Sequence, residues 1–393
     1  MENQLPLHGI RIVEFTWVIA GPMMTRTLAM LGAEVVRVES AKRAEFRARD
    51  SGFGLLNNNK KSCSLDLSTD LGREVARDLV SRCDIVVENF SYGVMDKLGL
   101  GYEAIRKVNP NVIMLSCSGM GRTGPGRTML AYGTLLQLNS GWSSLQGGPD
   151  SSETVIGGAW TDPLTAATGS MILMAALYNR RLTGEGQYVD LSMVEATMCG
   201  VPNALLDYAL NRRIDRPTGN RDVSKVPHGC YPCRGNDRWV VISVGNEAEW
   251  QALVHAMGDP VWANESRFMD KASRKLNETE IDEHIARWTT KHSAEEIVER
   301  LRAHGVAATV SLTVAEVVND KTLQERGYFH RYSSEYGSDG SFALGLPWVS
   351  EPCLDLAVTP APALGQDNSY VLECVLGYSR ERVAELDRGG ALF

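Results

Sequence analysis

The 393-residue sequence lacks a long apolar run and lacks a dense block of lysine and arginine. Residues 171–178, the longest candidate for a membrane span, are too few to cross a bilayer and end beside Arg180 and Arg181. Residues 1–7 show neither a signal peptide nor an anchor. The formal net charge of -8 argues against a nucleic-acid partner. We therefore expect a cytoplasmic protein that binds neither nucleic acid nor membrane.

Cysteine and histidine are present, but not in the patterns of a disulfide framework or a metal site. The eight cysteines are scattered along the chain, which is typical of a reducing compartment. Cys230-x-x-Cys233 resembles half of a zinc site, yet no second Cys or His pair at ligand spacing follows it. Alternation along a strand would place these two cysteines on opposite faces. We expect structural cysteines and no bound metal.

The first third of the chain alternates strand-like apolar runs with segments of helical periodicity. This rhythm is typical of parallel strands joined by crossover helices. Strands are predicted at residues 10–17, 34–38, 84–88 and 112–117, with helices at 22–31, 71–79 and 102–107. The sequence therefore predicts an α/β fold with a doubly wound, Rossmann-like sheet.

The character of the sequence changes at the polar segment 211–226, which is the best candidate for a linker. Beyond it, residues 228–233 and 239–244 predict a hairpin of antiparallel strands. We expect a large Rossmann-like domain formed by residues 1–225 and 328–393. A smaller α+β domain should be formed by residues 226–327.

Asp162 stands just before a long predicted helix and is followed by Pro163. The simplest interpretation is a helix N-cap with proline at the first helical position, which stabilises by about 1 kcal/mol. A carboxylate at this place has a second use, because the positive end of the helix and free backbone N–H groups can stabilise charge that develops during acyl transfer. Residue chemistry alone favours the cap.

Short motifs along nearly the whole chain resemble those of one enzyme family. Each is weak alone, but roughly a dozen in the right order make a strong signal. They include Val13-Glu14-Phe15, Ala20-Gly21-Pro22, Leu65-Asp66-Leu67, Val87-Glu88-Asn89-Phe90, Asn109-Pro110-Asn111, Gly124-Pro125, Thr183-Gly184-Glu185-Gly186-Gln187 and Asp190-Leu191-Ser192-Met193. The chain thus resembles the CaiB/BaiF family, the class III CoA-transferases.

The resemblance implies a reaction in which Asp162 acts as a covalent nucleophile. In such transferases the nucleophile is an Asp roughly twenty residues before the Gly-x-Gly-Gln segment, and only Asp162 fits that position. With an ordinary pKa of about 4, Asp162 would be ionised at neutral pH and ready to attack a thioester carbonyl. A mixed anhydride and then an aspartyl-CoA thioester would follow. CoA enters as a substrate thioester, and no prosthetic group is implied.

The resemblance also implies which residues contact CoA. These are Ala20, Leu65, Asn89, Phe90, Lys97 and Met193. For Lys97, the alternative is a solvated charge on a helix. Further candidates for the CoA phosphates, which surface solubility explains almost as well, are Arg43, Arg47, Arg49, Lys60 and Lys61.

Departures from the formyl-CoA transferases, one branch of the family, concern the acyl site. Ile19 replaces a Gln, Gly133 replaces an acid, and their glycine-rich loop is not apparent at residues 223–228. Oxalate is therefore a poor candidate for the acceptor, whereas Trp17, Ile19 and Trp160 favour a larger or more hydrophobic acyl group. Succinyl-CoA is a candidate donor because it is a common metabolic source.

The resemblance further implies interlocked subunits, as a homodimer or as a heteromer with a homologous subunit. Two alternative functions remain open. A 2-methylacyl-CoA racemase has a His-Asp pair where this chain has Tyr132-Gly133, and no histidine occurs between His8 and His228 to serve as the base. A non-catalytic CoA-binding subunit would have no need of Asp162.

Overall fold

The computed structural model describes residues 5–42, 51–130, 132–148, 157–331, 342–351, 353–354, 356 and 358–392. The chain forms two compact units. The larger comprises Met1–Ser143, Val155–Ile214 and Lys321–Phe393, and the smaller comprises Ser144–Thr154 and Asp215–Asp320. The junction between Ile214 and Asp215 lies inside the polar segment 211–226.

The larger unit is built on a six-stranded, wholly parallel sheet. Its strands are β1 (Arg11–Phe15), β2 (Glu34–Glu39), β3 (Lys60–Ser64), β4 (Ile85–Glu88), β5 (Ile113–Ser118) and β6 (Tyr188–Ser192). Their order across the sheet is β3-β2-β1-β4-β5-β6, and Val13 pairs with Val36 on one side and Val86 on the other. The chain therefore winds outward from the middle in both directions, which opens a ligand crevice at the carboxyl ends of β1 and β4. The predicted α/β fold is confirmed.

Helices cover both faces of this sheet. Alternation along β1 sends Ile12 into a core with Met24 and Leu173, and sends Val13 into a separate core with Leu79. The helices are α1 (Ala20–Met30), α2 (Ser51–Asn57), α3 (Asp70–Val80), α4 (Val94–Lys97), α5 (Tyr102–Val108), α6 (Gly133–Asn139), α7 (Thr161–Thr183), α8 (Met193–Met198) and α9 (Pro202–Asn211). None of the helices in the described part of the chain is long and apolar enough to span a lipid bilayer.

The smaller unit has an antiparallel sheet with helices packed on it. The strands are β7 (His228–Pro232), β8 (Trp239–Ser243) and β9 (Ala307–Val310), with β8 in the centre. The helices are α10 (Glu247–Ala256), α11 (Lys271–Leu276), α12 (Glu278–Thr289), α13 (Ala294–Ala303) and α14 (Val314–Val318). Trp250, Ile281, Ile285 and Leu301 are fully buried in its core.

The C-terminal segment completes the larger unit. It contains α15 (Lys321–Glu325), the strand pair β10 (Phe329–Arg331) and β11 (Phe342–Leu344), a π-helix (Tyr370–Val375) and α16 (Arg380–Arg388). The Asp367 carboxylate accepts a hydrogen bond from the Ser62 N–H, and the side-chain amide oxygen of Asn368 accepts one from the Ser64 N–H, both at 2.8 Å. Because β3 is an edge strand, these side chains satisfy N–H groups that would otherwise be unpaired.

Small residues let α1 and α7 approach closely. A β-carbon at Gly169 would lie 2.6 Å from Met24 Sδ, so a larger residue there would displace the end of the Met24 side chain. One residue later, the Ser170 hydroxyl donates to the Met24 carbonyl at 3.1 Å. This packing brings the first turns of the two helices together beside the carboxyl ends of β1 and β4, where the candidate site lies.

Candidate active site

Asp162 lies in the first turn of α7. The residue at the N-cap is Trp160, and it makes no side-chain capping bond, so the N-cap interpretation of Asp162 is wrong. The carboxylate instead reaches across to α1, where Oδ1 accepts a hydrogen bond of 3.2 Å from the Ala20 N–H. Ala20 is the first residue of α1. The carboxylate therefore lies close to the positive ends of two helices.

Burial changes the acidity of Asp162. The residue is only 6% exposed, and loss of water raises the pKa of its carboxyl to about 6, although the Ala20 N–H opposes that rise. The expected ordinary pKa is therefore wrong. At pH 7 roughly nine-tenths of the carboxyl groups are still ionised, so the group remains able to act as a nucleophile and is poorly hydrated.

Gly133, at the start of α6, makes room for the carboxylate. A β-carbon at this position would overlap Asp162 Oδ2 and lie 3.2 Å from its Cγ and 3.1 Å from Ala159 Cβ. The Thr161 hydroxyl donates to the Gly133 carbonyl at 3.0 Å, which ties α6 to the start of α7. The sequence showed Gly133 only as the absence of an acid, whereas the structure shows that a side chain here would displace the Asp162 carboxylate.

The loop between β1 and α1 is held by Asn89, which follows β4. The Asn89 side chain accepts a hydrogen bond from the Trp17 N–H and donates one to the Trp17 carbonyl, both at 2.9 Å. The next residue, Val18, is half exposed and adopts a φ of 61°, which is strained for a β-branched side chain. Asn89 thus stabilises an unusual turn that leads directly to the Ala20 N–H.

A cavity of about 430 Å³ opens in front of Asp162. Five of the predicted site residues line it, namely Asp162, Ala20, Asn89, Phe90 and Met193. Leu65 lines a second cavity of about 480 Å³. Trp17, Phe90 and Ser91 line both cavities, which therefore adjoin. Lys97 is exposed on α4 and lines neither cavity.

Lys60 is the clearest correction to the predicted phosphate contacts. Its ammonium is fully buried and donates to Glu14 Oε1 at 3.0 Å, to the Pro22 carbonyl at 2.8 Å and to Asn57 Oδ1 at 3.0 Å. Burial lowers the pKa of Lys60 to about 7. Lys60 is thus a structural residue beneath α1 and not a surface charge.

Of the other basic candidates, only Lys61 lies within the described residues. The Lys61 ammonium lies 4.2 Å from the centre of the Tyr370 ring and 3.9 Å from Asp367 Oδ1. Arg43, Arg47 and Arg49 lie outside the described residues, so their expected contact with the phosphates stays a prediction.

Comparison with known proteins decides the family. The profile described as CoA-transferase family III matches residues 7–368. The chain belongs to this family. The succinyl-CoA–D-citramalate CoA-transferase of Chloroflexus aurantiacus is 30% identical over 396 residues, which cover 97% of this chain and 96% of that protein. The succinyl-CoA–L-malate CoA-transferase beta subunit of the same organism is 28% identical over 97% of each chain.

A solved structure agrees with this assignment. The crystal structure of a CaiB/BaiF family protein from Brucella suis is 27% identical to this chain and superposes with a TM-score of 0.88, covering 95% of this chain and 100% of that one. The predicted CaiB/BaiF membership is therefore confirmed. The protein is a CoA-transferase, and such enzymes use CoA thioesters as substrates.

Two arginines near the cavities of this family III enzyme were not predicted from the sequence. Arg122 pairs with the buried Glu88 carboxylate and donates to the carbonyls of Phe90 at 2.9 Å and Ser91 at 3.3 Å, so it fixes the wall that both cavities share. Arg127 lines the Asp162 cavity. Neither residue forms a spaced pattern with other polar residues, so nothing in the sequence singled them out.

The CxxC pair, Cys230 and Cys233, lies in the smaller unit of the CoA-transferase. Cys230 and Cys233 are both free thiols, and burial raises the pKa of each. Within the described ranges, no three side chains of His, Cys, Asp or Glu are grouped so that they could hold a metal ion.

Proposed function

We propose that the enzyme moves CoA from an acyl-CoA donor to a free carboxylic acid, with Asp162 as the covalent nucleophile. Asp162 Oδ2 attacks the thioester carbonyl, the C–S bond breaks, and CoA thiolate and a mixed anhydride result. The thiolate then attacks the aspartyl carbonyl and expels the first acid, which leaves an aspartyl-CoA thioester. The acceptor carboxylate reverses these two steps and leaves as its own CoA thioester. Two exchanges thus replace one difficult transfer.

The observation that carries the proposal is the position of the Asp162 carboxylate at the cavity. Oδ1 is held by the Ala20 N–H, and Gly133 leaves space around Oδ2. Because water is largely excluded, the carboxylate is more reactive than a hydrated one, and the two helix N-termini can stabilise the oxyanions that form at its carbonyl. No prosthetic group takes part in these steps.

For CoA itself we propose that the chain runs from the Asp162 cavity into the adjoining one. Ala20, Asn89, Phe90 and Met193 would contact the thioester end, and Leu65 the nucleotide end. The oxygen and the nitrogen of the Asn89 side-chain amide both already bind the Trp17 backbone, so Asn89 would act mainly by shaping the turn. Lys97, which is exposed on the neighbouring helix, would meet a phosphate only at the outer rim.

We propose succinyl-CoA as the donor, because the names of the two Chloroflexus aurantiacus relatives both include this compound. Trp17 and Ile19 contribute apolar surface to the cavity, which favours an acceptor larger than oxalate. Trp160 is not among the lining residues, because its indole N–H donates to the Gly157 carbonyl and the ring is half exposed. The preference for a larger or more hydrophobic acyl group therefore rests on Trp17 and Ile19.

The two alternative functions have less support. A racemase needs a base to take the α-proton, and no histidine is among the described residues that line the Asp162 cavity. A purely CoA-binding subunit would not require Gly133 to leave space for a carboxylate. The geometry around Asp162 is that of a reactive group, so we place the chain among catalytic subunits.

We further propose the interlocked assembly, with residues 1–225 and 328–393 as the large domain and residues 226–327 as the small one. The relative named as a beta subunit supports a heteromer as one form of it. The cytoplasm is the expected compartment. Light scattering of the purified chain would distinguish a homodimer from a monomer that awaits a homologous partner.

The test is Asp162→Asn together with chemical trapping. Asparagine keeps the size and the hydrogen bond to Ala20 but is a far weaker nucleophile, so we expect at least about 1,000-fold lower turnover with an intact fold. Incubation with acyl-CoA and hydroxylamine should convert Asp162 of the wild type to a hydroxamate, detected by peptide mass. Label at another residue, or undiminished exchange by the variant, would overturn the proposal.

A further inference from the structure

The charged residues that line the Asp162 cavity form an unusual set. Among the described lining residues there is one carboxylate, Asp162, and one cation, Arg127. The Cys117 thiol also lines the cavity, and burial raises its pKa so that it stays neutral. The rest of the wall is largely apolar or small, with Ile19 and Leu130 as examples. A single cation therefore faces the same space as the nucleophile.

Arg127 has no anionic partner in the described part of the protein. Its guanidinium lies 5.2 Å from the centre of the Tyr92 ring, and its one polar contact among the described residues, with the Gly124 carbonyl, is a long 3.5 Å. Arg122, five residues earlier, differs, because Glu88 and two carbonyls occupy its guanidinium. Tyr92 orients the Arg127 fork by stacking, yet most of its five N–H donors are left for a ligand.

Two anions of the substrates could bind there, a CoA phosphate or a carboxylate on the acyl group. The adjoining cavity is not lined by Asp162 or by Arg127, and its lysine, Lys42, pairs with Asp66. Arg127 instead shares the cavity in which the thioester carbonyl must meet Asp162. Its position thus matches the acyl end of the substrate, and a planar fork suits the two oxygens of a carboxylate.

We infer that Arg127 binds the second carboxylate of a succinyl-type acyl group, so that this residue discriminates between acyl-CoA substrates with and without a charged end. This inference rests on the proposed function, because it assigns the acyl end to the Asp162 cavity. Ile19 and Leu130 would contact the methylene carbons between the two carboxyl carbons. The apolar wall and the single cation together select an acyl chain with a charged end.

The test compares succinyl-CoA with butyryl-CoA, which has the same number of acyl carbons but no second carboxylate. In Arg127→Met, loss of a charge-assisted pair should lower kcat/KM for succinyl-CoA by about 10- to 100-fold, mainly through KM. The value for butyryl-CoA should stay within about twofold of wild type. Arg106→Met removes an exposed arginine that lines neither cavity and should change neither substrate.

Three outcomes would overturn the inference. Equal losses with both thioesters would place Arg127 on CoA or in the support of its loop, and no loss with either would leave it without a ligand. A wild type that forms no hydroxamate at Asp162 would refute the proposed function and the inference with it. Hydroxamate formation from butyryl-CoA by the Arg127→Met variant distinguishes failure of the inference from failure of the proposed function. This labelling requires Asp162 as the nucleophile but does not require a second carboxylate on the substrate.

Discussion

Gly133→Ala provides a sharp test of the site, because one methyl group is aimed at the nucleophile. The backbone tolerates alanine, since Gly133 begins α6 and alanine is the better helix former. The added β-carbon, however, would overlap Asp162 Oδ2 and would lie 3.2 Å from its Cγ. Ala159 Cβ, 3.1 Å from the new methyl group, leaves little room for it to shift. The carboxylate must therefore rotate away.

The size of the effect follows from what the rotation breaks. Turning the carboxylate weakens its bond with the Ala20 N–H, and a hydrogen bond to a charged group contributes about 1.5 to 3 kcal/mol. A misplacement of about 1 Å at a reacting atom costs roughly 100-fold in rate. We expect kcat to fall by about 100-fold. The free energy of unfolding should change by no more than about 1 kcal/mol, since helix propensity offsets part of the clash.

The assay is CoA exchange measured by mass, with hydroxylamine trapping of Asp162 and a denaturant titration of each variant. Gly157→Ala is the matched control, because its β-carbon would meet nothing within 4 Å and the residue lies in the loop before α7. It should retain wild-type exchange. If Gly133→Ala kept both its rate and its trapping efficiency, the observed carboxylate position would be irrelevant to the chemistry.

Four further predictions concern the same region. The pKa of Asp162, raised to about 6 by burial, should give kcat/KM an acid limb below that pH, and a limb near pH 4 would contradict the burial. Since folding raises this pKa, Asp162→Asn should increase the free energy of unfolding at pH 8 by about 2 to 3 kcal/mol. Urea titrations should show that gain fading from pH 6 to pH 4, and a pH-independent difference would argue against it. Lys60→Met should destabilise by roughly 3 kcal/mol because it leaves Glu14 short of a buried cation, and adding Glu14→Gln should recover part of that loss in the same titration. Asn89→Ala should lower kcat/KM about tenfold by freeing Trp17, whereas unchanged kinetics would mean that the turn holds itself.

The strands β1, β2, β4 and β5 could be predicted because each is rich in apolar residues. β3 could not. Its sequence, Lys60-Lys61-Ser62-Cys63-Ser64, is polar and gave no strand signal. The strand forms because Glu14 neutralises Lys60, and because the C-terminal segment supplies acceptors to the N–H groups of Ser62 and Ser64. These partners lie far away in the chain, so local periodicity contains no trace of them.

The candidate site, too, could be predicted only in part from the sequence. Asp162 could be chosen from the order and spacing of short motifs, but its surroundings could not. The residues that set its position, Ala20 and Gly133, come from other helices, and Ala20 is 142 residues away in sequence. Their contributions are a backbone N–H and a missing side chain, which no residue-type pattern can encode. The availability of the Arg127 guanidinium likewise could not be predicted, because it depends on the folded positions of the carboxylates around it.

In the proposed mechanism, the raised pKa of Asp162 affects how the mixed anhydride breaks down. In the mixed anhydride, CoA thiolate can attack either carbonyl, and the carboxylate of the weaker base leaves more readily. A substrate carboxylate has an ordinary pKa of about 4 to 5, whereas that of Asp162 is about 6. Attack at the aspartyl carbonyl would therefore expel the better leaving group in the first half-reaction and favour the aspartyl-CoA thioester. The second half-reaction must instead expel Asp162 itself, so burial of the nucleophile would favour the covalent intermediate over its breakdown, and it destabilises the fold at neutral pH.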